Sequence, residues 1–132
     1  MKTTRRNFLQ TTAASLSVAT IASALPIQKA AKPLRILILG GTGFIGPHQV
    51  RYALARGHKL TLFNRGKTNP GLFPEVEHLS GDRQKSELDE LKNREWDAVI
   101  DNPTTLPRWV REAGAILKDK TIRFYFDDFR FR

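Results

Sequence analysis

Residues 34–46 read Leu-Arg-Ile-Leu-Ile-Leu-Gly-Gly-Thr-Gly-Phe-Ile-Gly, an apolar run that feeds directly into a cluster of glycines. The run from Ile36 to Leu39 has no polar face. It suits a strand covered on both sides, as in a parallel sheet. A helical pattern follows, and a second apolar run begins about twenty residues on, which is the context that gives a glycine motif its meaning. Each glycine answers a separate physical need. Gly40 or Gly41 permits a tight turn, Gly43 lets the main chain approach a pyrophosphate, and Gly46 lets the helix pack close to the strand. The first helical N–H groups, at the positive end of the helix dipole, then point at the phosphates. The segment Gly40-Gly41-Thr42-Gly43-Phe44-Ile45-Gly46 therefore points to a bound dinucleotide. The alternative is a glycine-rich turn in some other α/β protein.

Downstream, strands and helices alternate. The pattern predicts strands over 35–39, 59–63, 76–79, 97–101 and 122–126. It predicts helices over 44–56, 85–92 and 108–117. Ile45, Val50, Ala53 and Leu54 form an apolar face on the first helix. Pro47 falls in its first turn, where a missing N–H costs little, and Gly57 is placed to end it as a left-handed cap. Residues 64–74 are rich in Gly, Asn and Pro and read as a long turn region. Leu88 and Leu91 turn inward from the second helix. Strands alternating with helices imply a parallel α/β sheet with right-handed crossovers.

The amino-terminal residues address the chain. Residues 1–30 carry Lys2, Arg5, Arg6 and Lys29 and no acid. Thr4-Arg5-Arg6-Asn7-Phe8-Leu9-Gln10 is similar to a twin-arginine export signal. A weakly apolar stretch from Ala13 to Leu25 follows, with Ala22-Ser23-Ala24 as small residues for cleavage. Interrupted by Ser15, Ser17, Thr20 and Ser23, this stretch is too short and polar for a stable bilayer span. The expectation is a cleavable signal and linker over 1–33, the export machinery as a partner, and a periplasmic or extracellular destination in a bacterium. A transit peptide or an incidental amphipathic tail is the alternative.

The net charge of +9 resembles a nucleic-acid signature until it is divided along the chain. Residues 31–117 hold thirteen bases and ten acids, an ordinary solvated surface. With no cysteine, neither a disulfide framework nor a thiolate metal site is possible. His48, His58 and His78 show no metal-ligand spacing.

The glycine loop, Arg56-Gly57-His58, Asn64-Arg65-Gly66 and Gly81-Asp82-Arg83 together resemble the extended and atypical short-chain dehydrogenase/reductase superfamily, in particular NAD-dependent epimerase/dehydratase proteins with twin-arginine signals. The resemblance covers residues 34 to about 119 and implies the N-terminal half of a Rossmann-type doubly wound parallel sheet of about five strands. It implies that Gly40 to Gly46 hold the pyrophosphate, with Gly40, Gly41, Thr42, Gly43, Phe44, Ile45 and Gly46 all at the cofactor. It places Asn64 and Arg65 at the adenosine ribose. Many NAD enzymes have an acid there; Arg65 can instead pair with a 2′-phosphate, so the resemblance favours NADP over NAD. Asp82, with Arg83 beside it, falls where the family places an acid near the adenine amino group. Asp101 and Asn102 fall at the carboxyl edge of the fourth strand, where ligands of open sheets sit. Each has an ordinary alternative: a solvated charge for Arg65, a turn or capping role for Asp82, and a strand-ending turn before Pro103 for Asp101 and Asn102.

The superfamily's acid/base chemistry uses a Tyr-x-x-x-Lys pair with a Ser or Thr. Here Tyr52 is followed four residues later by Arg56, and Tyr125 by Phe129, so no catalytic residue carries over. Residues 120–132 also depart from the family's fifth strand, commonly Tyr-Val-Phe-Ile-Ser-Ser. The expectation is a single-base frameshift near Asp119 or Lys120 that truncates a longer enzyme; the alternative is a natural short protein in which Ile122-Arg123-Phe124-Tyr125-Phe126 is a genuine last strand. The expectation is a dinucleotide-binding fragment, inactive alone. Two other classes stay open. One is a non-catalytic dinucleotide-binding scaffold. The other is an RNA-binding protein on the same fold, because Asn64-Arg65-Gly66-Lys67 and Gly81-Asp82-Arg83 also resemble chloroplast stem-loop RNA-binding proteins. An export signal argues against an RNA ligand.

Overall fold

The computed structural model describes residues 26–126. The expected signal at residues 1–25, and residues 127–132 of the tail, lie outside the described residues. The elements run β1 (Arg35–Leu39), α1 (Gly46–Ala55), β2 (Lys59–Asn64), β3 (Glu77–Ser80), β4 (Trp96–Asp101), α2 (Pro107–Leu117) and β5 (Thr121–Phe126). The strands form a single sheet in the order β3-β2-β1-β4-β5, and every neighbouring pair is parallel. This is the five-stranded α/β Rossmann-like arrangement that alternating strands and helices imply.

β1 sits at the centre because it is apolar on both faces. Ile36 and Ile38 pack with Val50 and Ala53 of α1 and with Leu60 and Leu62 of β2. Leu37 and Leu39 pack on the other side with Phe63, Leu79, Val99, and Ala113 and Leu117 of α2. Side chains alternate across a strand, so two adjacent pairs of residues supply two separate cores. Each fully buried aliphatic or aromatic side chain contributes about 1.5–3 kcal/mol. Gly57 ends the first helical segment with φ of +87°, as its capping position requires.

The predicted helix over 85–92 is not formed. Two 3₁₀ turns, Arg83–Lys85 and Asp89–Leu91, take its place. Ser86 lies between them with φ of +59°, a left-handed conformation that no α-helix can include. Leu88 and Leu91 are nonetheless buried, as their spacing implied. α1 begins two residues later than predicted, with Pro47 in its first turn. The edge strand β5 forms but leaves Ile122 78% and Tyr125 54% exposed. No helix among the described residues is long and apolar enough to cross a membrane.

Candidate functional site

Gly40, Gly81 and Asn102 each follow the carboxyl end of a strand, Asn64 is the last residue of β2, and all four border one cleft of about 570 Å³. The cleft lies where the strand order reverses between β1 and β4, the switch point at which open parallel sheets accept ligands. Main-chain bonds tie its walls together. Gly40 N–H donates to the Phe63 carbonyl (2.9 Å), Gly81 N–H to that of Asn64 (3.1 Å), and Asn102 N–H to that of Leu39 (3.2 Å).

The glycine loop forms one side. Gly40 has φ of +78°, the turn conformation that glycine tolerates best. At Gly46 a Cβ would sit 2.5 Å from the main chain of Gly41, so the helix closes on the loop only because no side chain intervenes. α1 begins with Ile45 as its cap, has no side-chain cap bond and no acid in its first turn. The positive end of its dipole is therefore left uncompensated beside the cleft, an arrangement suited to an anion. Thr42, Gly43, Phe44 and Ile45 also border the cleft, and Phe44 is 96% exposed. Gly41 is not in the wall; it packs beneath the loop against the Leu62 side chain.

The loop after β2 forms a second side. The Asn64 side-chain carbonyl accepts the Gly66 N–H at 2.7 Å, which folds Arg65, Gly66, Lys67 and Thr68 over the rim. Arg65 is exposed there with no hydrogen-bond or ion-pair partner among the described residues.

The turn after β3 forms the third. A carboxylate oxygen of Asp82 accepts the Gln84 N–H (2.9 Å) and caps the first 3₁₀ turn, while its own N–H donates to Glu87 (3.1 Å). Asp82 thus borders the cleft and also serves the capping role that its sequence context allowed. Gly81 admits this turn because a Cβ there would lie 2.2 Å from the Glu87 carbonyl oxygen. Arg83 is buried, grips both oxygens of Asp101 at 2.5 and 2.9 Å, and lies over the Trp109 ring at 5.6 Å.

Asp101 does not border the cleft. It is wholly buried, and both oxygens are bonded by Arg83. Burial pushes its carboxyl above the usual carboxylate range, against the opposing pull of Arg83. Asn102, the next residue, is in the wall. Its amide donates to Gln49 of α1 at 2.8 Å, which braces β4 against the first helix. Gln49 and Trp109 were not legible as site residues, because each reaches the site through tertiary packing from a helix.

A glycine-loop cleft at the switch point of a parallel sheet defines a Rossmann-like α/β unit. The chain belongs to the NAD dependent epimerase/dehydratase family, which it matches over residues 36–121. It is 35% identical to the chloroplast stem-loop binding protein of 41 kDa b of Arabidopsis thaliana, in a match covering 51% of this chain and 22% of that protein. Among solved structures it is similar in fold to a short-chain dehydrogenase/reductase from Veillonella parvula DSM 2008, with a TM-score of 0.60 at 18% identity over 72% of this chain and 47% of that one. It is also similar to AtPrR2 in apo form, with a TM-score of 0.53 at 21% identity over 75% of this chain and 39% of that one. The chain thus spans less than half the length of these relatives.

Proposed function

We propose that this chain is the nucleotide-binding portion of an exported, NADP- or NAD-dependent enzyme of epimerase, dehydratase or reductase type. The observation that carries this reading is the uncapped amino end of α1, presented with its glycine loop to the cleft at the switch point. The pyrophosphate lies against Gly43 to Gly46, and the adenosine half extends toward Asn64 and Asp82. Arg65, exposed and unpartnered at the rim, favours the 2′-phosphate of NADP.

The chain binds cofactor without turnover by itself. Its sequence has no Tyr-x-x-x-Lys; Tyr52 lies on α1 and Tyr125 on β5. Residues 1–33 direct the folded, loaded domain out of the cytoplasm. That reading rests on Arg5-Arg6-Asn7-Phe8-Leu9 and is tested by replacing Arg5 and Arg6 with Lys in a reporter fusion. Retained reporter supports it, and unchanged export overturns it.

The cofactor reading is tested by calorimetric titration of the chain with NADP⁺ and NAD⁺. Saturable binding of either supports it, and no heat with both overturns it. A second reading, RNA binding on the same fold, draws on the 35% identity to the chloroplast stem-loop binding protein. Salt-sensitive retention of the chain on RNA, undisturbed by NADP⁺, is the outcome that favours it.

A further inference from the structure

A side chain outside the cleft joins two of its sides. Asn69, between β2 and β3, donates its side-chain amide to the Thr42 carbonyl at 3.1 Å, across 27 residues of chain. Thr42 is buried in the glycine loop. Asn69 is not in the cleft wall, whereas Arg65 to Thr68, immediately before it, are. The backbone of this segment is set by its contacts. Asn69 is left-handed with φ of +46°, and so is Phe73 at +63°. Such conformations cost free energy in residues other than glycine and persist where the surroundings hold them. The Asn69 carbonyl accepts the Leu72 N–H at 3.0 Å, and the Phe73 carbonyl accepts that of Val76 at 3.0 Å. Phe73 is buried with Val50 and Ala53 of α1, and the Arg51 guanidinium lies over its ring at 5.5 Å. The segment is therefore anchored on α1 at Phe73 and on the glycine loop at Asn69.

The rim stretch before Asn69 is held at both ends. At its start the Asn64 side-chain carbonyl accepts the Gly66 N–H at 2.7 Å, and at its finish Asn69 bonds Thr42. Between these two bonds lie Arg65 and Lys67, two exposed cations in the wall. A loop fastened at one end only has more freedom to lose when its cations meet an anion, so the second fastening lowers the cost of ordering them. That saving reaches only a ligand that places an anion at the rim. Resting on the dinucleotide reading, we propose that Asn69 is a positioning residue: it fastens the rim carrying Arg65 and Lys67 to the glycine loop, and thereby sets a preference for a 2′-phosphorylated dinucleotide.

The test is calorimetric titration of the full chain with NADP⁺ and with NAD⁺, in wild type, Asn69→Gly, Arg65→Ala/Lys67→Ala, and the triple variant. Glycine keeps the left-handed backbone and removes the amide donor. Asn69→Gly is expected to weaken NADP⁺ roughly five-fold, the scale of one hydrogen bond, and NAD⁺ by less than about two-fold. With Arg65 and Lys67 already removed, the same substitution is expected to leave NADP⁺ binding nearly unchanged, because a positioning residue acts only through the groups it positions.

Equal weakening of NADP⁺ and NAD⁺ overturns the proposal, by making Asn69 a support of the glycine loop alone. So does unchanged NADP⁺ binding in Asn69→Gly, or a loss that persists without Arg65 and Lys67. Wild type that binds NAD⁺ but not NADP⁺ overturns the proposal while sparing the dinucleotide reading, and absence of heat with both overturns the two together. If Asn69→Gly fails to fold, as judged by circular dichroism, Asn69→Asp is read by the same cycle. It keeps the side-chain size but loses the donor, and its added charge is common to both backgrounds.

Discussion

Arg83 and Asp101, eighteen residues apart, form a buried two-point ion pair that joins the turn after β3 to the end of β4. Asp101 is fully buried and the Arg83 side chain is only 7% exposed. Buried pairs of this kind add little net stability over a well-packed apolar replacement, but removing one partner strands the other charge. Arg83→Met is expected to destabilise the fold by about 3–5 kcal/mol in urea denaturation, and the double variant Arg83→Met/Asp101→Leu by clearly less. A double variant no more stable than the single one contradicts this account of the pair.

The same pair sets a pH signature. Burial already raises the Asp101 carboxyl above its ordinary value, and losing Arg83 raises it further. A folded-state value above the unfolded one means that the folded form holds the proton more tightly. Stability from that group is present at acid pH and lost as pH rises through the folded value. Arg83→Met is therefore expected to lose stability between pH 4 and neutrality relative to wild type, measured by urea midpoints across that range.

Asp97 has the opposite sign. The Arg35 main-chain N–H at 2.8 Å, and then the Arg35 guanidinium, hold its carboxyl below the usual carboxylate range. Its stabilisation is present above the unfolded value and lost as pH falls through the folded one. Asp97→Asn is expected to flatten the acid-side fall in stability by losing a small contribution at neutral pH and converging on wild type in acid. The Arg35 side chain is half exposed, so the effect is small and shrinks with added salt. An acid limb as steep as wild type contradicts it.

The last two glycines of the loop, Gly43 and Gly46, separate folding from binding. A Cβ at Gly46 meets main chain at 2.5 Å, whereas one at Gly43 meets nothing closer than 3.7 Å. Gly46→Ala is expected to lower stability by about 1–3 kcal/mol or more through overpacking. Gly43→Ala is expected to keep the thermal midpoint and weaken NADP⁺ binding on the order of ten-fold, because its methyl lies where the pyrophosphate approaches. Thermal denaturation and calorimetry of both variants check this.

Arg65→Ala is expected to weaken NADP⁺ binding by roughly ten- to a hundred-fold, the scale of a hydrogen bond to a charged group, and to leave NAD⁺ nearly unchanged. Equal loss for both cofactors removes Arg65 from the 2′-phosphate role.

The parts of this fold that the sequence announces are those governed by local pattern. Ile36 to Leu39 and the glycines after them identify a central buried strand and its turn without help from elsewhere. The segment 85–92 misleads because an apolar pair three residues apart suits a helix and two 3₁₀ turns equally, and the left-handed Ser86 between the turns, whose hydroxyl bonds Glu112 of α2 at 3.0 Å, has no local sequence signal. In the site, Asn64, Arg65, Asp82 and Asn102 are found by counting from strand ends. Asp101 is not, because its engagement depends on Arg83, brought to it across the sheet. Trp109 and Gln49 look like ordinary helix residues until α2 and α1 dock at the cleft.

The central claim, that a dinucleotide lies across the carboxyl ends of these strands, is tested most directly by amide chemical-shift mapping of the chain with NADP⁺. The account predicts saturable shifts at Gly43 to Gly46, Asn64 to Thr68, Gly81 to Gln84 and Asn102. It predicts none at Arg35, Lys59 and Glu77, at the amino ends of β1, β2 and β3. Shifts centred on those amino ends, or no shifts at saturating NADP⁺, contradict it.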